Sequence, residues 1–354
     1  MKKRIFWGGV VLLALVLAGC AGPQGPAGPT GPEGPEGPAG PTGPVPKASE
    51  LSCTGCHNDT SLITGKHTAW SASAHGMGET YVRAASSRCA GCHSGGTFST
   101  MIAQGLNATQ IESGDPNPTR TDCRTCHQIH TTYTTDDWAL ETSDPVTFNV
   151  ISDATFNGGA GNLCANCHQP LSGYPGAENG MVEVSSTHWG PMSPPSTMLL
   201  GLGGGGDVSN LPSPHASVVK DTCVTCHLGD AASHTFEPDV ATCIVCHSDA
   251  EDFNIANVQS DVQAMMDDLE KALVSAGLLD ADGHPVVGTY PEDKAAALWN
   301  YIYIEEDRSM GVHNAEYIKA LLQFSQVCEE KKNCRMAVLF FCVSFHHYTM
   351  AVQS

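Results

Sequence analysis

CVTCHLGDAASHTFEPDVATCIVCH, residues 223–247, holds two copies of one pentapeptide, CxxCH, with a further histidine, His234, between them. The full chain of 354 residues carries six copies: Cys53-Cys56-His57, Cys89-Cys92-His93, Cys123-Cys126-His127, Cys164-Cys167-His168, Cys223-Cys226-His227 and Cys243-Cys246-His247. They are numbered motifs 1 to 6 below. In such a pentapeptide the two thiols add across haem vinyl groups as thioethers, and the adjacent histidine turns a ring nitrogen onto the iron. Paired cysteines also build structural zinc sites, but zinc has no need of a histidine directly after the second cysteine, and here all six pairs have one. A disulfide across two intervening residues closes too small a loop to constrain the unfolded chain much. The expectation is six covalently bound haem c groups, which occupy twelve of the 16 cysteines.

The motifs span Cys53 to His247, a stretch rich in Gly, Ser and Thr in a chain only 6% aromatic and 15% charged. Side chains of that kind cannot fill an ordinary core, so porphyrin faces are expected to supply much of the apolar interior. The predicted fold class is mainly α with extensive irregular loops: a multihaem cytochrome c fold organised around stacked haems, with short helices at the motifs, C-terminal helices and little or no sheet. Only 20 residues separate Cys223 from Cys243, so the fifth and sixth haems are expected close together.

Each iron has a sixth position, and its occupant separates wiring from catalysis. A second histidine leaves electron transfer as the easy chemistry, whereas an open position admits a substrate. Ten of the 16 histidines lie outside the motifs. His130, three residues after His127, is expected on the same helical turn, its ring projecting from nearly the same face and reaching a neighbouring haem. His75, His188, His215 and His234 lie among small residues where a flat macrocycle could approach. His67 is a weaker candidate, and His284 in DADGHP reads as an exposed loop residue. Met77, Met192 and Met198 are alternative ligands that would raise the potential.

Past the last motif the pattern turns helical. Ile255, Val258, Val262, Met265, Met266, Leu269 and Leu273 recur at three- and four-residue intervals, and Gly277 is placed to end that helix. Pro291, Glu292 and Asp293 open a second helix through Ile304. Asn314 caps a third carrying Tyr317, Leu321, Leu322 and Phe324, and His313 just before it could lean onto a haem.

The N-terminus reads as an export signal. Lys2, Lys3 and Arg4 precede an apolar run from Ile5 to Leu17, and Leu17-Ala18-Gly19-Cys20 follows. That ending resembles a bacterial lipobox, which makes Cys20 a lipid-bearing membrane anchor. Ala21 is not the aspartate associated with inner-membrane retention, which favours the outer membrane, on its periplasmic or cell-surface face. Gly22 to Val45 then runs as eight G-P-x triplets. As an extended rod these residues would reach about 70 Å, and both a single solvated rod and a collagen-like homotrimer fit the repeat.

Several segments carry a resemblance: STHWGPMS (186–193), SPHASVVKDTCVTCH (213–227), SHTFEPD (233–239) and EEDRSMGVHNAEYIKALL (305–322). They resemble a family of bacterial multihaem cytochrome c lipoproteins. That family is in turn similar to the group of octahaem tetrathionate reductase, hydroxylamine oxidoreductase and cytochrome c nitrite reductase. The resemblance covers roughly residues 49–327. It implies that His75, His130, His188, His215, His234 and His313 are the distal axial ligands, with the assignment of each to a haem left open. Nitrite reductases of the group commonly carry CxxCK at the catalytic haem, and this chain has no such motif.

The expected organisation is a signal peptide with lipobox (1–20), a collagen-like stalk (21–48), a hexahaem domain (49–250), a helical region packing on the haems (251–327) and a tail of unknown role (328–354). A net charge of −20 disfavours nucleic acid and suggests redox partners, chiefly other cytochromes, with basic docking patches. An extracellular metal oxide fits as terminal acceptor. The leading expectation is electron transfer by a membrane-anchored cytochrome with no catalytic residue. The rivals are a reductase of nitrogen or sulfur oxyanions with one open haem, and a cytochrome filament subunit.

Overall fold

Two kinds of helix follow one another in this chain, short ones in the motif region and long ones rich in apolar residues after it, and the fold divides along that line. The computed structural model describes residues 57, 61–151, 153–208, 210–229 and 232–330. The export segment with Cys20, the stalk, Cys53, Cys56 and the tail beyond Glu330 lie outside the described residues.

In the motif region the helices are brief: α1 (Ser61–Ala72), α2 (Ser87–His93), α3 (Gly95–Ala103), α4 (Cys123–Cys126), α5 (Asn162–Ala165), α6 (Pro195–Leu200), α7 (His215–Val218) and α8 (Cys223–His227). Local chemistry starts and stops them. At α4 the Asp122 carboxylate accepts the Arg124 and Thr125 N–H groups while the Thr125 hydroxyl oxygen accepts the Asp122 N–H, a reciprocal cap. The helix then ends because His127 is extended, at φ −125° and ψ 149°. Apolar interior is scarce here. One cluster gathers Val146, Phe148, Phe156, Ala165 and Leu199, and another Phe98, Met101 and Ala108.

Among the described residues, sheet is confined to two antiparallel pairs. β1 (Val146–Thr147) meets β2 (Thr155–Phe156), and β3 (Met181–Val184) meets β4 (Gly288–Pro291) with Val182 opposite Tyr290. Along β3 the side chains alternate, Val182 and Val184 buried and Met181 and Glu183 exposed, as a strand with one packed face requires. The molecule is thus mainly α with irregular loops.

The larger core belongs to α9 (Val258–Ser275), α10 (Glu292–Asp307) and α11 (Ala315–Glu330). From α9, Val262, Met266, Leu269 and Leu273 point inward at helical spacing, while Ile255 falls in a preceding 3-10 turn kinked at Ala256. Gly277, at φ +73°, lies just past the α9 C-terminus as expected. α10 runs three residues beyond Ile304 and is buried almost all round, with Leu298, Trp299, Tyr303 and Ile304 fully enclosed. Asn314 accepts the Tyr317 N–H at 3.1 Å and donates to the carbonyls of Met198 and Leu211, so the α11 cap also ties down the loop 201–211. That loop, GLGGGG at 201–206, lies flat on α10. A Cβ at Gly205 would meet the Ala296 Cα at 3.0 Å, and its N–H reaches the Asn300 side chain at 2.7 Å. Trp299 packs edge-on to Trp189 at 5.0 Å, which carries the 186–193 segment onto the helices. No helix among the described residues is long and apolar enough to cross a membrane.

Candidate haem-ligating sites

Five motif histidines each face one histidine from outside the motifs. Ring centroids are 5.9 Å apart for His57 and His130, 6.1 Å for His168 and His75, and 6.3 Å for His127 with His234, His247 with His215, and His227 with His313. Ordinary aromatic contacts spread over about 4.5–7 Å. These five fall between 5.9 and 6.3 Å, and every one joins a motif histidine to a non-motif histidine. A metal atom bound on both sides at about 2 Å, plus about 1.1 Å from each ring nitrogen to its ring centre, needs roughly 6.2 Å. The rings stand at the separation of two axial ligands.

Hydrogen bonds at the other ring nitrogen point the same way. The Nδ1–H of His127 donates to the Trp138 carbonyl at 2.8 Å, that of His227 to Phe236 at 2.9 Å, that of His234 to Ala232 at 2.9 Å and that of His215 to Val312 at 3.2 Å. A carbonyl oxygen can only accept, so Nδ1 carries the proton and the Nε2 lone pair is left for a metal. His168 and His188 have hydroxyl partners, Ser193 and Thr187, each at 3.3 Å. His313 instead donates to the Asp307 carboxylate at 2.7 Å. Burial works against a proton on His313, but the charge and hydrogen bond of Asp307 outweigh it and its pKa lies above the usual histidine value. Burial pulls His168 down to about 4, helped by neighbouring His75, His227 and His313, so that ring is neutral and able to ligate. His168 nevertheless keeps an exposed surface deep in the molecule. A flat macrocycle would cover that surface. The residues present therefore fit haem c.

His130 corrects one expectation. It does not share a helical turn with His127, because the backbone has left the helix there and His130 itself sits at φ +64°. The Asp137 carboxylate accepts the N–H groups of His130, Thr132 and Tyr133 and the Thr132 hydroxyl, folding the segment into a tight turn. The two rings consequently serve different pairs.

Thiols of different motifs also approach one another. Cys92 and Cys167 are within hydrogen-bonding reach, as are Cys164 and Cys223. Cys126 lies near both Cys164 and Cys167, and Cys226 lies near Cys243. Motif 4 is thus bordered by motifs 2, 3 and 5, motif 6 follows motif 5, and the His127–His130 turn links motif 3 to motif 1. Neighbours in space are not always neighbours in sequence.

Motif 2 differs. His93 has no facing ring among the described residues, and burial with the nearby Arg83 charge lowers its pKa. His188 is exposed and borders a cavity of about 660 Å³ whose lining includes Arg88, next to Cys89. His67 lies exposed against Trp70, and His284 is exposed beside Asp280. Met198 is wholly enclosed in the helical core, and Met192 is held by its N–H to the Glu306 carboxylate at 2.7 Å. The sequence did not signal Asp307 or Asp137, since neither stands in a recurring spacing from its histidine. The carbonyl partners belong to the backbone and leave no residue-type trace.

A scan against known protein families finds no match, and a search of curated proteins finds none. Among solved structures, the chain is similar to the outer cell wall cytochrome OcwA, with a TM-score of 0.48 and 20% identity over 75% of this chain and 50% of that one. It is also similar to an undecahaem cytochrome from the S-layer of Carboxydothermus ferrireducens, with a TM-score of 0.42 and 17% identity over 69% of this chain and 38% of that one. The chain spans half the length of the first and less of the second.

Proposed function

We propose that this protein is an electron-transfer cytochrome carrying six haem c groups, held at a membrane by lipid on Cys20 and set off from it by the G-P-x stalk. The observation that carries the reading is the set of five imidazole pairs, each spaced for one metal and each joining a motif histidine to a distal one. Haem c at these sites supplies a one-electron iron couple that exchanges charge with its neighbours while no other bond is made or broken. The chain's own groups do the rest. His130 pairs with His57, His234 with His127, His75 with His168, His313 with His227 and His215 with His247, which leaves His188 for His93. Two imidazoles on one metal exclude external ligands, and Nδ1 partners keep the rings from turning. Close approach of the thiols of motifs 2 to 6, with the His127–His130 turn joining motif 3 to motif 1, supports a route 1–3–4–5–6 with motif 2 beside motif 4.

The resemblance to multihaem cytochrome c lipoproteins, and through them to the octahaem reductase group, belongs to this reading. So do an outer-membrane location, cytochrome partners, a metal oxide acceptor and a trimeric stalk. Low-temperature EPR of the oxidised holoprotein tests it. Six covalent haems by mass spectrometry, with low-spin signals only, are expected, and His234→Ala should convert one haem to high spin at unchanged haem content. A holoprotein without covalent haem ends the proposal. A second reading rests on His93: if motif 2 keeps an open position, the protein is a reductase there, and cyanide will bind one haem in six.

A further inference from the structure

Among the Nδ1 partners described above, four are backbone carbonyls, two are hydroxyls and one is a carboxylate. The carboxylate is that of Asp307, the last residue of α10, whose side chain is fully enclosed and whose Oδ1 lies 2.7 Å from His313 Nδ1. It is held in place from the other side. Ser309 donates both its hydroxyl and, at 3.3 Å, its N–H to Oδ2, and the Ser309 hydroxyl oxygen accepts the His313 N–H at 3.2 Å. Asp307, Ser309 and His313 form a closed hydrogen-bonded ring just ahead of α11, its last link made by the His313 backbone N–H.

We infer that Asp307 is a positioning residue that makes His313 the most electron-donating axial ligand of the protein and so lowers the potential of the haem at motif 5. A carbonyl shares the Nδ1 proton weakly, whereas a carboxylate draws it strongly and leaves negative charge on the ring. The effect is large here because the Asp307 side chain is fully enclosed, where the local dielectric is low. A more anionic ligand favours ferric over ferrous iron. Motif 5 lies between motifs 4 and 6, so a lowered potential there is a raised step in the middle of the route. The inference rests on the pairing of His313 with His227 in the proposed function.

Potentiometric titration of the full-length holoprotein, followed by visible absorption and EPR, tests it. Asp307→Asn keeps the shape and an acceptor oxygen for the His313 Nδ1–H but removes the charge. One of the six midpoints should move to a more positive potential, with five unmoved, six haems retained and Asp307→Glu restoring the parent value. A residue that only braced the loop would change thermal stability and leave every midpoint in place. Ser309→Ala deprives the carboxylate of a donor and frees it to pull harder on Nδ1, so the same midpoint should move the opposite way. If Asp307→Asn does not mature, the Ser309→Ala shift decides alone. Six low-spin haems with unshifted midpoints overturn the inference and leave the electron-transfer reading standing. A parent protein lacking those haems removes both.

Discussion

Replacing Asn314 with alanine would strip three hydrogen bonds from one buried position. The helix cap is worth about 1 kcal/mol, and the Leu211 carbonyl would be left unpaired at about 1–3 kcal/mol, while the Met198 carbonyl keeps the Gly201 N–H at 3.0 Å. A loss of about 2–4 kcal/mol is expected in denaturant titration, with the slope unchanged. A loss below about 0.5 kcal/mol would mean the loop 201–211 finds other donors. Glu306 has the opposite character. Burial pushes its carboxyl from an ordinary 4.5 up to about 7, with the adjacent Glu305 adding to the rise and the Met192 N–H and Arg308 resisting it. Because the folded-state value lies above the unfolded one, the stability it contributes is complete below about pH 4.5 and is lost as pH rises through about 7. The melting temperature should therefore fall across that window, and Glu306→Gln should flatten the fall. An identical slope in the variant would assign the pH dependence elsewhere.

At the scale of elements, α9 shows how a helix beyond the motifs is held by its apolar face. Leu273 is fully buried and Val274 next to it is 42% exposed. Leu273→Ala should cost about 2–5 kcal/mol, through lost transfer energy and the cavity left behind. Val274→Ala should stay within about 0.5 kcal/mol. Equal effects in thermal melts would contradict the inward face drawn here. The short helices α4, α5 and α8 behave differently, since four or five residues make too few backbone bonds to hold a helix alone. Caps and cross-links hold them instead: Asp122 and Thr125 at α4, and Thr222 donating its hydroxyl to the Gly158 carbonyl ahead of α8.

For the molecule as a whole, the decisive quantity is charge. With 37 acidic against 17 basic residues, the surface attracts a cationic redox partner and repels an acidic one. Stopped-flow electron exchange with a small cationic redox protein should slow steeply as ionic strength passes about 0.1 M, where the screening length falls to about 10 Å. A rate indifferent to salt would remove electrostatic steering from the account. Any such partner meets a chain whose described interior is divided, with the larger apolar core under α9 to α11 and imidazole pairs beside two small apolar clusters elsewhere.

The sequence by itself determined what is local. Six pentapeptides name the chemistry, Asn314 and Gly277 mark helix ends, and the apolar stripe of α9 is readable because a helix repeats every 3.6 residues. A shortage of apolar side chains around the motifs likewise foretold loops rather than sheet. Tertiary structure alone decided which histidine faces which. His75 stands 93 residues from His168, and His313 stands 86 from His227, and no periodicity links positions so far apart. The turn that Asp137 imposes on His130 and the carboxylate that Asp307 gives His313 were equally out of reach. Both depend on where the chain folds back, which is set by packing across the whole molecule rather than by neighbouring residues.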